Sequence, residues 1–281
     1  MNYRHAYHAG NFADVMKHAA LVAAIEHLGK KDRPFRVIDT HAGAGLYDLS
    51  GHEAARTKEA RTGIARLADA PDLPEALRRY VEIVNGFGND RYPGSPLIAQ
   101  RLLRHGDRLV AIEKQPEDFA ALSAALAPYA NTRALEADGY ERLAALLPPP
   151  ERRGLVLIDP PYEAQDEFAR LARAFAAAWA RFATGIYLLW FPVKRRADAD
   201  SLAGEILSAG AAKLLLLTLD TGRPKDAQSG PLAERLSQSG LLVANAPYGF
   251  AETMRDVLAW LAVRLSQGPG SGWRVESLRG D

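Results

Sequence analysis

The chain contains no cysteine in its 281 residues. That excludes disulfides, thiolate zinc sites and a cysteine nucleophile, and it suits a reducing compartment. It also lacks any apolar run long enough to cross a bilayer; Gly185–Val193 (GIYLLWFPV) is far too short. The opening residues, MNYRHAYHAG, have no apolar stretch of the kind a secretory signal needs. The expectation is a cytoplasmic protein with no membrane partner. Charge of one sign is missing too: 35 Lys and Arg stand against 34 Asp and Glu, for a net charge of +1. No global field marks a nucleic-acid binder, so any such role needs local basic patches. Internal repeats and low-complexity segments are absent. Hydrophobic residues at 48% and charged residues at 25% are ordinary for a soluble globular chain of one large core or two small ones.

What is present is organised around Gly154–Tyr162, GLVLIDPPY. Leu155–Ile158 is a continuous apolar run, as suits a strand buried on both faces of a parallel sheet. Pro160 and Pro161 lack N–H groups and restrict the residue before them, so the ladder ends there. A carboxylate, free carbonyls and the Tyr162 ring are thereby placed at the carboxyl end of a strand, where open α/β sheets bind ligands. Asp159 and the Pro160 carbonyl are acceptors for the two N–H bonds of an exocyclic amine such as N6 of adenine. Holding the amine that way draws its lone pair out of conjugation and makes the nitrogen a better nucleophile. Tyr162 offers a face for a stacked base.

Upstream, Phe35–Asp39 reads as a buried strand running into Thr40-His41-Ala42-Gly43-Ala44-Gly45, a turn that lets backbone approach a ligand. It lacks the full G-x-G-x-x-G of dinucleotide sites. Asp39-x-x-x-Gly43-x-Gly45 is instead a spacing seen where S-adenosylmethionine binds. Arg108–Lys114 reads as a second strand ending at Glu113, a candidate for ribose hydroxyls, although it lies much farther from Gly45 than the usual interval of about 20 residues. Residues 51–93, rich in Ala, Arg and Glu, account for the excess as an inserted helical subdomain of two or three helices. Ser95 with Pro96 suggests a helix N-cap followed by proline at the first helical position. Arg133–Asp138 reads as a third strand that delivers Asp138 and Gly139 to an adenine amino group. Gly185–Val193 reads as a fifth, with Lys194, Arg195 and Arg196 after it as candidate phosphate contacts. Ala212–Asp220 and Gly240–Pro247 read as the last two, the second of them antiparallel.

The segment Tyr3–His18 (YRHAYHAGNFADVMKH) is dense in aromatic and cationic groups for a chain start. Asn11 caps a helix from Phe12 towards Leu28. His5, His8 and His18 have no acidic pattern around them that would make a metal site, and no metal is expected.

YRHAYHAGNFADVMKH, DTHAGAG, YPGSPLIA, IDPPYE and RFATGIY, in this order, resemble the bacterial 23S ribosomal RNA adenine-N6 methyltransferase family, RlmJ. The resemblance implies an α/β fold, a Rossmann-like class I S-adenosylmethionine-dependent methyltransferase with a mostly parallel seven-stranded sheet, as one domain over 1–281. It implies S-adenosylmethionine as methyl donor, S-adenosylhomocysteine as product and an adenosine of 23S rRNA as acceptor. By matching motif, Lys17, His18, His41, Gly43, Ser95, Glu113, Asp138, Gly139 and Asp159 are expected at the cofactor. Asp159, Pro160 and Tyr162 are the expected catalytic set, and Tyr3, Arg4 and His5 are expected near the target base. A monomer is expected. Alternatives are a DNA adenine-N6 or rRNA guanine-N2 methyltransferase, since motifs like DPPY serve all three. A non-catalytic RNA-binding protein on this fold would lose its glycines or Asp159, and both are intact.

Overall fold

The computed structural model describes residues 5–223 and 236–279. An eight-stranded sheet runs through it. Its strands in chain order are β1 (Arg36–Asp39), β4 (Arg108–Glu113), β5 (Thr132–Glu136), β6 (Gly154–Ile158), β7 (Ile186–Pro192), β8 (Lys213–Asp220), β9 (Gln238–Ala244) and β10 (Gly272–Arg279). A separate two-stranded ribbon pairs β2 (Leu46–Asp48) with β3 (Arg91–Pro93). Across the large sheet the order is β10-β8-β9-β7-β6-β1-β4-β5. The strands from β7 to β5 are parallel, and β9 runs antiparallel between β7 and β8.

That is the Rossmann-like arrangement the resemblance implies, with β9 as the reversed strand. The strand count is corrected from seven to eight. The eighth, β10, pairs antiparallel along the whole of β8. Only Val275 and Leu278 of β10 pack on the core, so no continuous apolar run announces the strand.

Helices cover both faces because the strands alternate. Leu155 and Leu157 join one apolar cluster, Val156 and Ile158 the other. The first cluster takes in α1 (Phe12–Gly29), α4 (Glu75–Asn85), α5 (Ser95–Gln100), α6 (Pro116–Leu126) and α10 (Phe250–Arg264). The second takes in α7 (Gly139–Leu143), α8 (Glu167–Arg181) and α9 (Arg196–Ser208). α1 is buried almost all round, packed between the sheet and the helices α4, α5 and α10. Its first turn is capped as the sequence suggests: Asp14 N–H donates to Asn11 Oδ1 at 3.0 Å. Between β2 and β3 lie α2 (His52–Thr57), α3 (Glu59–Thr62), a 3₁₀ turn and α4. The cap at α5 is shifted by one. Gly94 is the N-cap, and Ser95 is the first helical residue, so Ser95 does not cap.

Candidate active site

The carboxyl ends of β1, β4, β5, β6 and β7 meet in one cleft holding two cavities. The first, of about 200 Å³, brings together Lys17, His18, His41, Gly43, Ser95, Glu113, Asp138, Gly139, Asp159 and Pro160, all expected at a site, with His5 at its rim. The second, of about 260 Å³, is walled by Tyr162, Trp190, Pro192, Lys194 and Glu59. His5, Lys17, Asp159 and Pro161 line both. Tyr3 and Arg4 lie outside the described residues.

Each wall of the first cavity follows from its strand end. After β1, the turn at Gly43 adopts φ +60°, and a Cβ there would stand 2.1 Å from the Tyr47 hydroxyl. Gly43 N–H donates to Glu113 Oε2 at 2.9 Å, tying the turn to the end of β4. The other Glu113 oxygen accepts from Lys114 and Gln115 N–H, both at 2.7 Å. Burial pushes the Glu113 carboxyl up, and those three N–H groups pull against it. After β5, Asp138 caps α7 through Tyr140 N–H at 3.0 Å and pairs with Lys114 at 3.0 Å and Arg170 at 3.3 Å. Burial opposes, but Lys114 and the cap bonds hold its carboxyl below the usual range. A Cβ at Gly139 would stand 2.0 Å from Thr40 O. The close approach at Gly139 is therefore strand end against helix start; that alone fixes glycine there.

His41 and His18 are neutral. Burial pushes His41 down to about 4 and His18 down to about 3. His41 leans edge-on against Tyr140. His18 Nδ1 lies 2.6 Å from the Tyr92 hydroxyl, whereas His18 Nε2 is buried without a partner. An orphaned buried nitrogen beside the cavity loses its hydrogen bond to water for nothing unless a ligand takes it up.

Lys17 connects the two cavities. It is 4% exposed, and its ammonium pairs with Asp14 Oδ1 at 2.9 Å and with Asp159 Oδ2. Burial alone would lower the ammonium, but Asp14 and Asp159 outweigh it and hold Lys17 above the ordinary lysine range. Asp14 also accepts from Gly10 N–H at 2.9 Å and meets His5 Nε2 at 3.0 Å. The Lys17 ammonium sits 5.9 Å from the centroid of the Trp190 ring.

Tyr162 takes φ +52°, which costs an L-residue roughly 1–2 kcal/mol. The ring is held against that strain by Phe168 and Trp190, at 4.9 and 5.7 Å between centroids, and its hydroxyl donates to Trp190 O at 2.9 Å. Tyr162 lines the second cavity and not the first. Of the three basic residues after β7, Arg195 is tied to Asp198 at 2.6 Å and Arg196 to Asp200 and Glu276 at 3.0 Å. Lys194 alone of these lines the cleft. His5 and His8 face different carboxylates, Asp14 and Glu59, and do not converge.

Asp14, Trp190, Tyr140, Glu167 and Arg170 also build the site and were not singled out from the sequence. Tyr140 donates to Glu167 Oε1 at 2.9 Å, and the Arg170 guanidinium lies over the Tyr140 ring at 4.9 Å. Asp14 had a visible signal, an acid three residues before Lys17 on a helix. Trp190 had one in its place near the carboxyl end of the fifth strand.

The residues present fit a nucleoside with a charged tail. The cavity offers carboxylates at the ends of β4 and β5, a free His18 nitrogen and glycine turns. A family model described as Ribosomal RNA large subunit methyltransferase D, RlmJ, matches residues 32–278. Ribosomal RNA large subunit methyltransferase J of Escherichia coli strain K12 is 40% identical over 269 residues, with 94% of each chain covered. The protein of the same name from Haemophilus influenzae is 39% identical, with 98% of each covered. A crystal structure of a Legionella pneumophila protein superposes with a TM-score of 0.83 at 32% identity, covering 97% of this chain and 98% of that one.

Proposed function

The chain belongs to the RlmJ family of ribosomal RNA large subunit methyltransferases, and from that premise we propose that it methylates N6 of one adenosine in 23S rRNA, with S-adenosylmethionine as donor. The observation that carries the reading is the place of Asp159 and Pro161 in the wall shared by two cavities. A transferase needs two sites that meet at one acceptor group, and the DPPY turn is that meeting point.

The first cavity is the cofactor site on this reading. Glu113 and Asp138 take the nucleoside, and His18 and Lys17 take the charged tail, with His41, Ser95, Gly43 and Gly139 as walls. S-adenosylmethionine, when bound, supplies a methyl group on a positively charged sulfur. The second cavity receives the adenine, stacked against the aromatic wall of Tyr162 and Trp190. Asp159 and the Pro160 carbonyl accept the two N–H bonds of N6, and the lone pair is released from the ring. As the nitrogen takes on positive character, the fixed Asp159 carboxylate stabilises it. Lys17 pairs with that carboxylate at Oδ2 and with Asp14 at Oδ1, so the two acids and the lysine stand as one cluster at the junction. His5, which lines both cavities, stands on the base side. Among the described residues no helix is long and apolar enough to cross a membrane. The proposed setting is the cytoplasm, the proposed form a monomer, with no metal required.

The test is nucleoside mapping. 23S rRNA from cells lacking the gene is incubated with the purified protein and cofactor, digested and read by mass spectrometry. The reading predicts N6-methyladenosine at one position. N2-methylguanosine, or methylation of duplex DNA in preference to this RNA, would replace it with the corresponding alternative.

A further inference from the structure

The segment between β2 and β3 has a basic edge that the reaction itself leaves unused. α3 walls the second cavity through its first residue, Glu59, whose carboxylate accepts from Asn11 Nδ2 at 3.1 Å and meets His8 Nδ1 at 3.0 Å. α2 and α3 are locked to the chain start. Ile64 N–H donates to Gly10 O at 2.8 Å, and the Thr57 hydroxyl donates to Tyr7 O. Gly63 comes so close that a Cβ would stand 2.1 Å from Gly10 O. This edge therefore holds a fixed position relative to the cavity.

Lys58 directly precedes Glu59, and Arg61 follows three residues on; both are exposed. Lys194, just past the end of β7, lines the same cavity and is also exposed. Lys58 occupies the junction of α2 and α3 at φ 56°, ψ 23°. That left-handed position is where a chain ordinarily places glycine or asparagine. A lysine there keeps an exposed cation next to the wall residue Glu59 against a backbone preference for something else.

We propose that Lys58, Arg61 and Lys194 form a phosphate clamp around the mouth of the second cavity, gripping the RNA backbone on either side of the extruded adenosine. The clamp rests on the reading of that cavity as the base pocket. A nucleoside turned out of its stack brings its two flanking phosphates to the rim, so cations supplied from α3 and from the end of β7 meet one each. With a net charge of +1 the chain offers RNA no general attraction, and affinity has to come from such a local set.

The experiment measures binding of full-length protein to protein-free 23S rRNA from cells lacking the gene, by filter binding across a salt series. The variants are Lys58→Gly alone and Lys58→Gly with Arg61→Ala and Lys194→Ala. The triple variant is expected to lose about 10-fold or more in affinity, and its log–log salt slope is expected to flatten by about one for each phosphate contact removed. Calorimetric affinity for S-adenosylmethionine should stay at the wild-type value. Lys58→Gly should melt at or above the wild-type temperature, because glycine relaxes the left-handed turn. Wild-type affinity and slope in the triple variant would overturn the clamp while leaving the base pocket standing. A Lys58→Gly protein that melts lower would overturn the view that lysine is kept there for its charge. If wild-type protein shows no binding to this RNA, the functional reading falls and the clamp with it.

Discussion

Replacing Lys17 by Met probes the charge cluster that joins the two cavities. Methionine keeps most of the length and drops the ammonium, so little void is left. Lys17 and Asp14 are 4% and 2% exposed. Asp14 Oδ1 would lose its Lys17 partner at 2.9 Å, while Oδ2 keeps Gly10 N–H and His5. Asp159 would lose its ammonium as well. Removing one member of a buried pair typically costs about 3–5 kcal/mol, because the other charge is left uncompensated. Two of the three Asp14 contacts survive and Asp159 is nearer to solvent, so the expected loss is about 3 kcal/mol, the lower end of that range. Urea denaturation at pH 7 reads it as a lower midpoint. The pH dependence has a definite sign. Burial opposes, but His5 and Lys17 hold the Asp14 carboxyl well below its ordinary value of 3.8. A depressed carboxyl contributes stability that is present above the unfolded value and lost as pH falls through the folded one. Without Lys17 part of that depression disappears while the His5 part stays, so the deficit is full at pH 7 and shrinks below about pH 4. A loss under about 1 kcal/mol at pH 7, or a deficit that grows on acidification, would refute the reasoning.

Glu113→Ala should raise the KM for S-adenosylmethionine and leave kcat at saturation near wild type, the pattern of lost uniform binding; unchanged calorimetric affinity would remove Glu113 from the cofactor site. His18, pushed down to about 3 by burial, binds fewer protons folded than unfolded between about pH 3 and pH 6.5. Its contribution to stability is thus present above pH 6.5 and lost as pH falls towards 3. His18→Gln should flatten the acid limb of a stability–pH curve, and an unchanged limb would show that His18 does not titrate there.

Much of this architecture could be read from the residues because the informative patterns are local. An apolar run cut off by two prolines marks the end of β6, and the strands β1, β4, β5, β7, β8 and β9 each fall on the segment expected, within a few residues. What the sequence hides depends on distant partners. β2 and β3 are three residues each, and they pair only because the chain returns to the same place after α4. β10 is half exposed and gains its identity from β8, not from its own pattern. Ser95 looks like a cap, yet Gly94 takes the cap position. At the site, the residue types were legible and their partners were not. Lys17 was expected at the cofactor, and the fold sets it between Asp14 and Asp159. Tyr162 was expected at the chemistry, and its left-handed turn aims the ring into the second cavity.

The central claim is that Asp159 acts on the reaction through its charge, at the point where the two cavities join. Single-turnover methylation of 23S rRNA by Asp159→Asn, measured beside calorimetric cofactor affinity in the same preparation, tests it most directly. The amide can still accept a hydrogen bond from the amine but carries no charge to stabilise the nitrogen. The account predicts that the chemical step slows by about 10²-fold or more, the scale for removing one electrostatic stabiliser, while cofactor affinity falls much less. A near-normal single-turnover rate in the folded variant would contradict it.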